Sequence, residues 1–168
     1  MSTELSGSTV LVTGGTAGIG RTVALRFAAL GAEVVVHGRH ARRGADAVED
    51  IRATGGRARF IAADLADPDA VRRLAAEAGE VDVLVNNAGM YRFASTPEGT
   101  TEMFDTHMAV NTRAPLQLVG ALAPGMAAPW PRSHRQHEHR GRHHPGARRR
   151  SVRRLQGRAG TAHPHLGR

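Results

Sequence analysis

Some residue types are absent or scarce in this sequence of 168 residues. Cysteine is absent, which excludes disulfides and thiolate metal sites, and lysine is absent, so that all 23 basic side chains are arginines. No apolar run approaches the roughly 18 residues that are needed to span a bilayer. The first residues also lack the basic segment and the apolar segment of a secretory signal. We therefore expect a cytoplasmic protein that does not insert into a membrane.

The net charge of +8 is distributed unevenly along the chain. Residues 1–128 hold 12 arginines and 14 acidic residues, whereas residues 129–168 hold 11 arginines and one acidic residue. The first segment is long enough to bury the core of one domain. The second has too few apolar side chains to offset the entropy lost on ordering. We predict one folded domain over residues 1–128 and a disordered basic tail over residues 129–168.

A glycine-rich turn follows the apolar run at residues 10–12 and precedes a helical pattern. Its glycines include Gly14, Gly18 and Gly20. A glycine turn between a strand and a helix is the context that a dinucleotide site requires, although a glycine triplet alone could also be an ordinary turn. Glycine at these positions permits a tight turn, close approach of the backbone to a pyrophosphate, and close packing of the helix on the strand. The unpaired N–H groups at the start of the helix favour phosphate. The turn therefore predicts a nucleotide site.

Strand and helix patterns alternate after this turn. Continuous apolar or β-branched runs at residues 32–36, 59–63 and 81–85 predict buried strands, with helical patterns between them. Such alternation predicts an α/β fold with a doubly wound, Rossmann-like parallel sheet. Ligands of such sheets bind at the carboxyl ends of the strands. Four residues occupy these ends: Gly14, Gly38, Asp64 and Asn87.

Three short motifs resemble those of the short-chain dehydrogenase/reductase family. They are Thr13-Gly14-Gly15-Thr16-Ala17-Gly18-Ile19-Gly20, Asp64-Leu65 and Asn86-Asn87-Ala88-Gly89. The resemblance runs from about Ser6 to Ala128. It implies an NAD(P)-dependent oxidoreductase that transfers hydride between nicotinamide and a small carbonyl or alcohol substrate, and an oligomer for an intact member. The implied cofactor contacts are Gly14, Thr16, Ala17, Gly18, Ile19 and Gly20 at the pyrophosphate, Asp64 and Leu65 at the adenine, and Asn87, Ala88 and Gly89 at the nicotinamide ribose.

The end of the second strand bears on the choice of cofactor. An acid there binds the ribose 2′-hydroxyl of NAD, whereas a nearby arginine accommodates the 2′-phosphate of NADP. Gly38 stands where NAD-selective members of the family usually have an acid, and Arg39 follows it. A guanidinium can bind phosphate bidentately, although Arg39 could also be a solvated loop residue. Ala17 departs from many NADP-preferring relatives, which have a basic residue there. We predict a preference for NADP(H) over NAD(H).

One residue resembles a member of the family's catalytic tetrad. Asn111 lies in a helix predicted over residues 101–122. A polar residue among apolar neighbours is often a hydrogen-bonded core amide, but the resemblance favours the catalytic role. The other tetrad members are a tyrosine, a lysine four residues later that lowers the tyrosine pKa, and a serine or threonine. Without lysine no Tyr-x-x-x-Lys pair exists, and the one tyrosine, Tyr91, is followed four residues later by Ser95. We expect no carbonyl reduction by this chain.

The segment from residue 129 is rich in arginine, histidine, proline and glycine, without apolar periodicity. One interpretation is a nucleic-acid-binding arm on a non-catalytic nucleotide-binding module, although Trp130 is its only aromatic residue. A second is a metal site, but the histidines between His134 and His144 lack helical or finger-like context. We therefore predict no metal site.

The third interpretation, which we favour, is translation in the wrong reading frame. With suitable synonymous codons, Ser133–His139 read one nucleotide later gives Ala-Ile-Val-Asn-Met-Ser-Thr, which resembles the family's fifth strand and its Ser/Thr position. The same shift turns Val152–Ala159 into Tyr-Gly-Ala-Ser-Lys-Ala-Ala-Leu, which contains the missing pair. An insertion of one nucleotide, or a loss of two, near Ala128 accounts for both.

Overall fold

The computed structural model describes residues 4–127, so the tail predicted over residues 129–168 lies outside the described residues. Strands and helices alternate along the described chain. In order they are β1 (Thr9–Val12), α1 (Gly18–Ala29), β2 (Glu33–Gly38), α2 (Ala41–Ala53), β3 (Arg57–Ala62), α3 (Pro68–Ala78), β4 (Val83–Val85), α4 (Thr101–Met108) and α5 (Ala114–Ala127). A 3₁₀ turn (Thr96–Glu98) precedes α4, and a π-helical turn (Ala109–Arg113) joins α4 to α5.

The four strands form one parallel sheet in the order β3-β2-β1-β4. The central strand β1 pairs through Val10–Val12 with Val34–Val36 on one side and with Val83–Val85 on the other. Parallel neighbours need a crossover connection, and α1, α2 and α3 provide these crossovers. The predicted Rossmann-like parallel sheet is confirmed.

Apolar side chains pack on both faces of the sheet. Successive residues of a strand point to opposite faces. In β1, Leu11 therefore packs with α3 and α5, whereas Val10 and Val12 pack with α1 and α2. All three side chains are fully buried. Within residues 4–127, no helix is long and apolar enough to cross a membrane.

The helix α3 shows how local sequence sets an element's bounds. The side chain of Asp67 accepts a hydrogen bond of 2.8 Å from the backbone N of Asp69, and Pro68 opens the helix. Gly79, with φ of 70°, ends it. The connection between β3 and α3 is therefore short, residues 63–67, and its last residue, Asp67, is fixed by the cap of the helix.

The helix predicted over residues 101–122 is observed in two parts and extends further, to Ala127. The π-helical turn between the parts ends at Arg113, two residues before Pro115. Proline has no N–H to donate to the carbonyl four residues earlier, which here is that of Asn111, and this missing bond accounts for the local widening. Pro124 lies inside α5 without ending it.

Candidate functional site

A cleft of about 320 Å³ opens where the four parallel strands end. The segments that follow β1, β2, β3 and β4 all contribute to its lining, as expected for a sheet of this topology. Its volume lies near the lower limit for small-molecule pockets. The predicted site residues that line it are Gly14, Thr16, Arg39, Asp64, Leu65, Asn87, Ala88 and Gly89.

The turn between β1 and α1 requires glycine for two reasons. Gly14 and Gly18 have φ values of 65° and 50°, in the left-handed region where other residues are strained. At Gly20 the reason is space, because a Cβ there would lie 2.3 Å from the carbonyl oxygen of Gly14 and 2.4 Å from Nδ2 of Asn87. Gly20 therefore allows α1 to lie directly against the turn.

The first turn of α1 faces solvent. Ala17, the residue before the helix, makes no side-chain capping hydrogen bond, and Ala17, Gly18 and Ile19 are all exposed. The N–H groups at this end consequently have no side-chain cap from the described residues. Such groups, together with the partial positive charge of the helix end, can bind an anion.

A hydrogen-bond network joins the glycine turn to the end of β4. The Thr13 hydroxyl donates to the carbonyl of Val85 at 3.2 Å and accepts from the backbone N atoms of Asn87 and Ala88, each at 3.0 Å. The Asn87 side chain donates to the carbonyl oxygens of Thr13 at 3.0 Å and Gly14 at 3.3 Å. The Asn87 amide therefore holds the turn in place, as well as lining the cleft.

The end of β2 packs closely against the glycine turn. A Cβ on Gly38 would lie 2.6 Å from Cγ2 and 3.0 Å from Oγ1 of Thr16. Ordinary contacts of a Cβ are longer than 3.4 Å. Position 38 therefore lacks an acid and also lacks the space for one while Thr16 is present.

Three basic side chains line the cleft beside Gly38: Arg39, His40 and Arg43. All three are exposed, and neither arginine forms an ion pair with another residue of the described chain. Arg43 was not predicted as a site residue, because the prediction covered only the residues at the end of the strand. The helical pattern that begins at about Arg42 could have indicated it, since the first turn of a helix that follows a strand lies at the same edge of the sheet.

The cleft also contains a buried histidine, His37. The His37 ring accepts a hydrogen bond from the backbone N of Gly14 at 3.3 Å, and its Nε2 lies 3.1 Å from the carbonyl oxygen of Ala63. Burial lowers the pKa of His37, although the bond to Ala63 and the nearby carboxylate of Asp64 act in the opposite direction. His37 was not predicted as a site residue, because it follows the strand predicted at residues 32–36 and nothing in that pattern indicates its partners; the observed strand extends to Gly38.

The segment after β3 supplies a further wall. The carboxylate of Asp64 accepts a hydrogen bond of 3.0 Å from the backbone N of Ala66. Leu65 lines the cleft and is only 5% exposed, since it also packs in the core. This wall therefore combines an apolar side chain with a carboxylate that is fixed by its own loop.

Asn111 binds the loop that follows β4. Its side-chain Oδ1 accepts from the backbone N of Met90 and its Nδ2 donates to the Met90 carbonyl, both at 2.9 Å. Asn111 is exposed, so the interpretation as a core amide is not supported. In the same loop Tyr91 is 77% exposed and packs edge-on against Phe93, with ring centroids 5.2 Å apart.

Residues 8–135 match the profile of the family described as short chain dehydrogenase. The chain belongs to this family. A short chain dehydrogenase of Pseudocercospora fijiensis is 40% identical over 130 residues, which cover 73% of this chain and 42% of the relative. Gluconate 5-dehydrogenase of Gluconobacter oxydans is 37% identical over 127 residues, which cover 73% of this chain and 50% of the relative.

Solved short-chain dehydrogenase structures share the fold of this chain. A metagenomic short-chain oxidoreductase in complex with NADP is 38% identical, with a TM-score of 0.70 over 73% of this chain and 58% of that chain. A short chain dehydrogenase from Burkholderia cenocepacia, also in complex with NADP, is 41% identical, with a TM-score of 0.69 over 72% and 51%. This short-chain dehydrogenase chain thus spans about half the length of the relatives it matches.

Not every predicted residue of this short-chain dehydrogenase lies on the cleft. Ala17, Gly18, Ile19, Gly20 and Asn111 do not contribute to the lining described above. Gly20 shapes the turn and Asn111 fixes the Met90 loop, so both act on the cleft through the backbone. Their contacts with a cofactor, like those of the lining residues, stay predictions.

Proposed function

We propose that residues 4–127 form the NADP(H)-binding half of an oxidoreductase that interconverts a carbonyl and an alcohol. The observation that carries this proposal is the position of Arg39 and Arg43 on the cleft beside Gly38. Their guanidinium groups can bind the 2′-phosphate bidentately, and no acid is present at position 38 to hold a 2′-hydroxyl instead. Relatives of the same fold in complex with NADP support the proposal.

The other cleft residues fit the remaining parts of the dinucleotide. We assign the pyrophosphate to the turn at residues 14–20, where the space beside Gly18 is open, with no atom within 4 Å of a Cβ placed there, and where the end of α1 has no side-chain cap. We assign the adenine to the Asp64-Leu65 segment and the nicotinamide ribose to Asn87, Ala88 and Gly89. When bound, NADP(H) supplies the hydride.

The proton-transfer step needs residues that these 168 positions do not contain. A phenol has a pKa of about 10 and works near neutral pH only beside a positive charge, which the family's lysine supplies. Lysine is absent here, and Tyr91 packs on Phe93 rather than lining the cleft. We propose that these residues by themselves bind nucleotide without reducing carbonyls, and that a shifted reading frame near Ala128 explains the missing pair.

The cofactor proposal is tested by calorimetric titration of the 168-residue chain with NADP+ and with NAD+. We expect tighter NADP+ binding, and we expect Arg39→Ala and Arg43→Ala each to weaken NADP+ binding about tenfold or more, as for a lost hydrogen bond to a charged group. NAD+ binding should change little. Arg42→Ala is the matched control, because Arg42 is exposed on the same helix but does not line the cleft. Tighter NAD+ binding in the unaltered chain would contradict the proposal.

The charge of residues 129–168 supports a second candidate, a nucleotide-binding module with a nucleic-acid-binding tail. This segment carries 11 of the 23 arginines and one acidic residue. Contacts between arginines and phosphates make affinity fall steeply with salt. Binding of duplex DNA that weakens in this way, and that is lost when residues 129–168 are removed, would favour the module over the oxidoreductase.

A further inference from the structure

His37 is a buried polar residue at the end of β2 that the proposed cofactor contacts do not use. Its side chain is 2% exposed, and its two ring nitrogens face different loops. Nδ1 lies 3.3 Å from the backbone N of Gly14, and Nε2 lies 3.1 Å from the carbonyl oxygen of Ala63. The ring therefore bridges the glycine turn after β1 and the segment after β3.

These two partners specify one protonation state of the ring. The N–H of Gly14 can only donate, so Nδ1 must accept, and the carbonyl of Ala63 can only accept, so Nε2 must donate. Only the neutral imidazole with its proton on Nε2 satisfies both. A second proton, on Nδ1, would direct an N–H group at the N–H of Gly14 and break that contact.

The backbone of the same residue holds the next position of the turn. The N–H of Gly15 donates to the carbonyl of His37 at 2.9 Å. Two consecutive N–H groups of the glycine turn are thus fixed by one residue, through its ring at Gly14 and through its carbonyl at Gly15. Gly14 adopts φ of 65° without strain, and these two contacts help to select that conformation from the several that glycine can adopt.

We propose, on the basis of the nucleotide site proposed above, that His37 is a positioning residue whose neutral ring holds the glycine turn against the Ala63–Leu65 segment. Protonation of the ring releases the turn and weakens nucleotide binding as the pH falls. His37 thereby couples the pyrophosphate wall of the cleft to its adenine wall.

The surroundings of His37 determine the direction of this pH dependence. The ionisable side chains that line the cleft together with His37 are Asp64 after β3, Arg39 and His40 after β2, and Arg43 in α2, and the charge that acts on the ring is that of Asp64. The turn at residues 13–16 contributes no charged side chain. Burial outweighs the attraction of Asp64 and lowers the pKa of His37, so the ring is neutral near pH 7. In the folded protein the ring is therefore protonated only at a pH below its ordinary pKa of about 6.5, and its contact with Gly14 is lost as the pH falls through the lowered folded-state pKa.

The test compares NADP+ binding to the full chain between about pH 5 and about pH 8 in three proteins. His37→Asn keeps an oxygen that can accept from Gly14 but does not titrate. His107→Asn is the matched control, because it makes the same substitution at a histidine that does not line this cleft. Any pH dependence that comes from the nucleotide itself is the same for all three proteins. We expect acidification to weaken binding about three- to tenfold more in the unaltered chain and in His107→Asn than in His37→Asn, the factor of one net hydrogen bond. Should His37→Asn not fold, His37→Gln keeps a donor towards Ala63 and replaces it.

Amide hydrogen exchange at Gly14 and Gly15 provides a readout without nucleotide. Acidification should reduce protection there in the unaltered chain relative to His37→Asn at the same pH. Equal acid dependence of NADP+ binding in these two proteins would overturn the proposal. If NADP+ binds at no pH, the proposed function fails and exchange alone decides: greater loss of protection in the unaltered chain supports the role of His37, and equal exchange overturns it.

Discussion

An aspartate at position 38 would stand where an acid selects NAD by binding the ribose 2′-hydroxyl. We expect Gly38→Asp alone to weaken binding of both NAD+ and NADP+, because the new Cβ would lie 2.6 Å from Cγ2 of Thr16. Either the Thr16 side chain must then rotate away from its observed position, or the glycine turn that contains it must move away from the end of β2. A switch to NAD+ should need Thr16→Ala as well.

The size of this effect follows from the distances around Gly38. Accommodating an overpacked carbon costs about 1–3 kcal/mol. Thr16→Ala removes Cγ2 and Oγ1, and the Cβ that remains is 3.4 Å away, an ordinary contact. Gly38 does not have a positive φ, so the cost is steric rather than conformational. We expect Gly38→Asp to destabilise the fold by about 2 kcal/mol beside Thr16 and by about 0.5 kcal/mol in the Thr16→Ala background.

Urea unfolding and calorimetric titration with NAD+ and NADP+ would measure these effects. Gly38→Ala is the matched control, since it introduces the same Cβ without a carboxylate. With Thr16→Ala, Gly38→Ala should regain stability without gaining affinity for NAD+, whereas Gly38→Asp should regain stability and prefer NAD+. The reasoning is refuted if Thr16→Ala leaves the stability cost of both substitutions at Gly38 unchanged.

Three further outcomes are expected. Gly20→Ala should destabilise the fold by about 3 kcal/mol in thermal unfolding and abolish nucleotide binding, because its Cβ would lie 2.3 Å from the Gly14 carbonyl oxygen. Gly120→Ala in α5 is the control: its Cβ would have nothing within 4 Å, and it should be neutral or stabilising. Removal of one nucleotide near codon 128 should produce NADPH oxidation with a panel of ketones and aldehydes that the 168-residue chain does not show; turnover by the unaltered chain alone would contradict this. Limited trypsin digestion should remove residues 129–168 early and leave a core that ends near Ala128, and equal resistance of tail and core would contradict their predicted disorder.

The sequence was sufficient for the sheet and for most of the cleft lining, for a topological reason. Parallel strands place all their carboxyl ends at one edge, so Gly14, Gly38, Asp64 and Asn87 could be assigned to a common site once the strands were located. The glycine turn was also predictable. The left-handed φ values at Gly14 and Gly18 and the close approach at Gly20 are local requirements that the residue types themselves indicate.

Three features were not predicted from the apolar patterns of the sequence. His37 follows the strand predicted at residues 32–36, and only the fold brings its ring between Gly14 and Ala63. Arg43 becomes part of the cleft because α2 begins immediately after the strand end. The π-helical turn before Pro115 divided a helix that apolar periodicity predicted as continuous.

The central position of β1 has a consequence for synthesis on the ribosome. β1 is translated first, yet Thr9 at its start is bonded to Asp82, 73 residues later, and its second neighbour β4 follows that residue. While β1, α1, β2 and α2 emerge, one face of the growing sheet can already be covered. The side chains of Leu11 and Val35, on the other face, stay uncovered until α3 and α5 have been made. We expect nascent chains arrested before residue 68 to expose this apolar face and to be bound by chaperones.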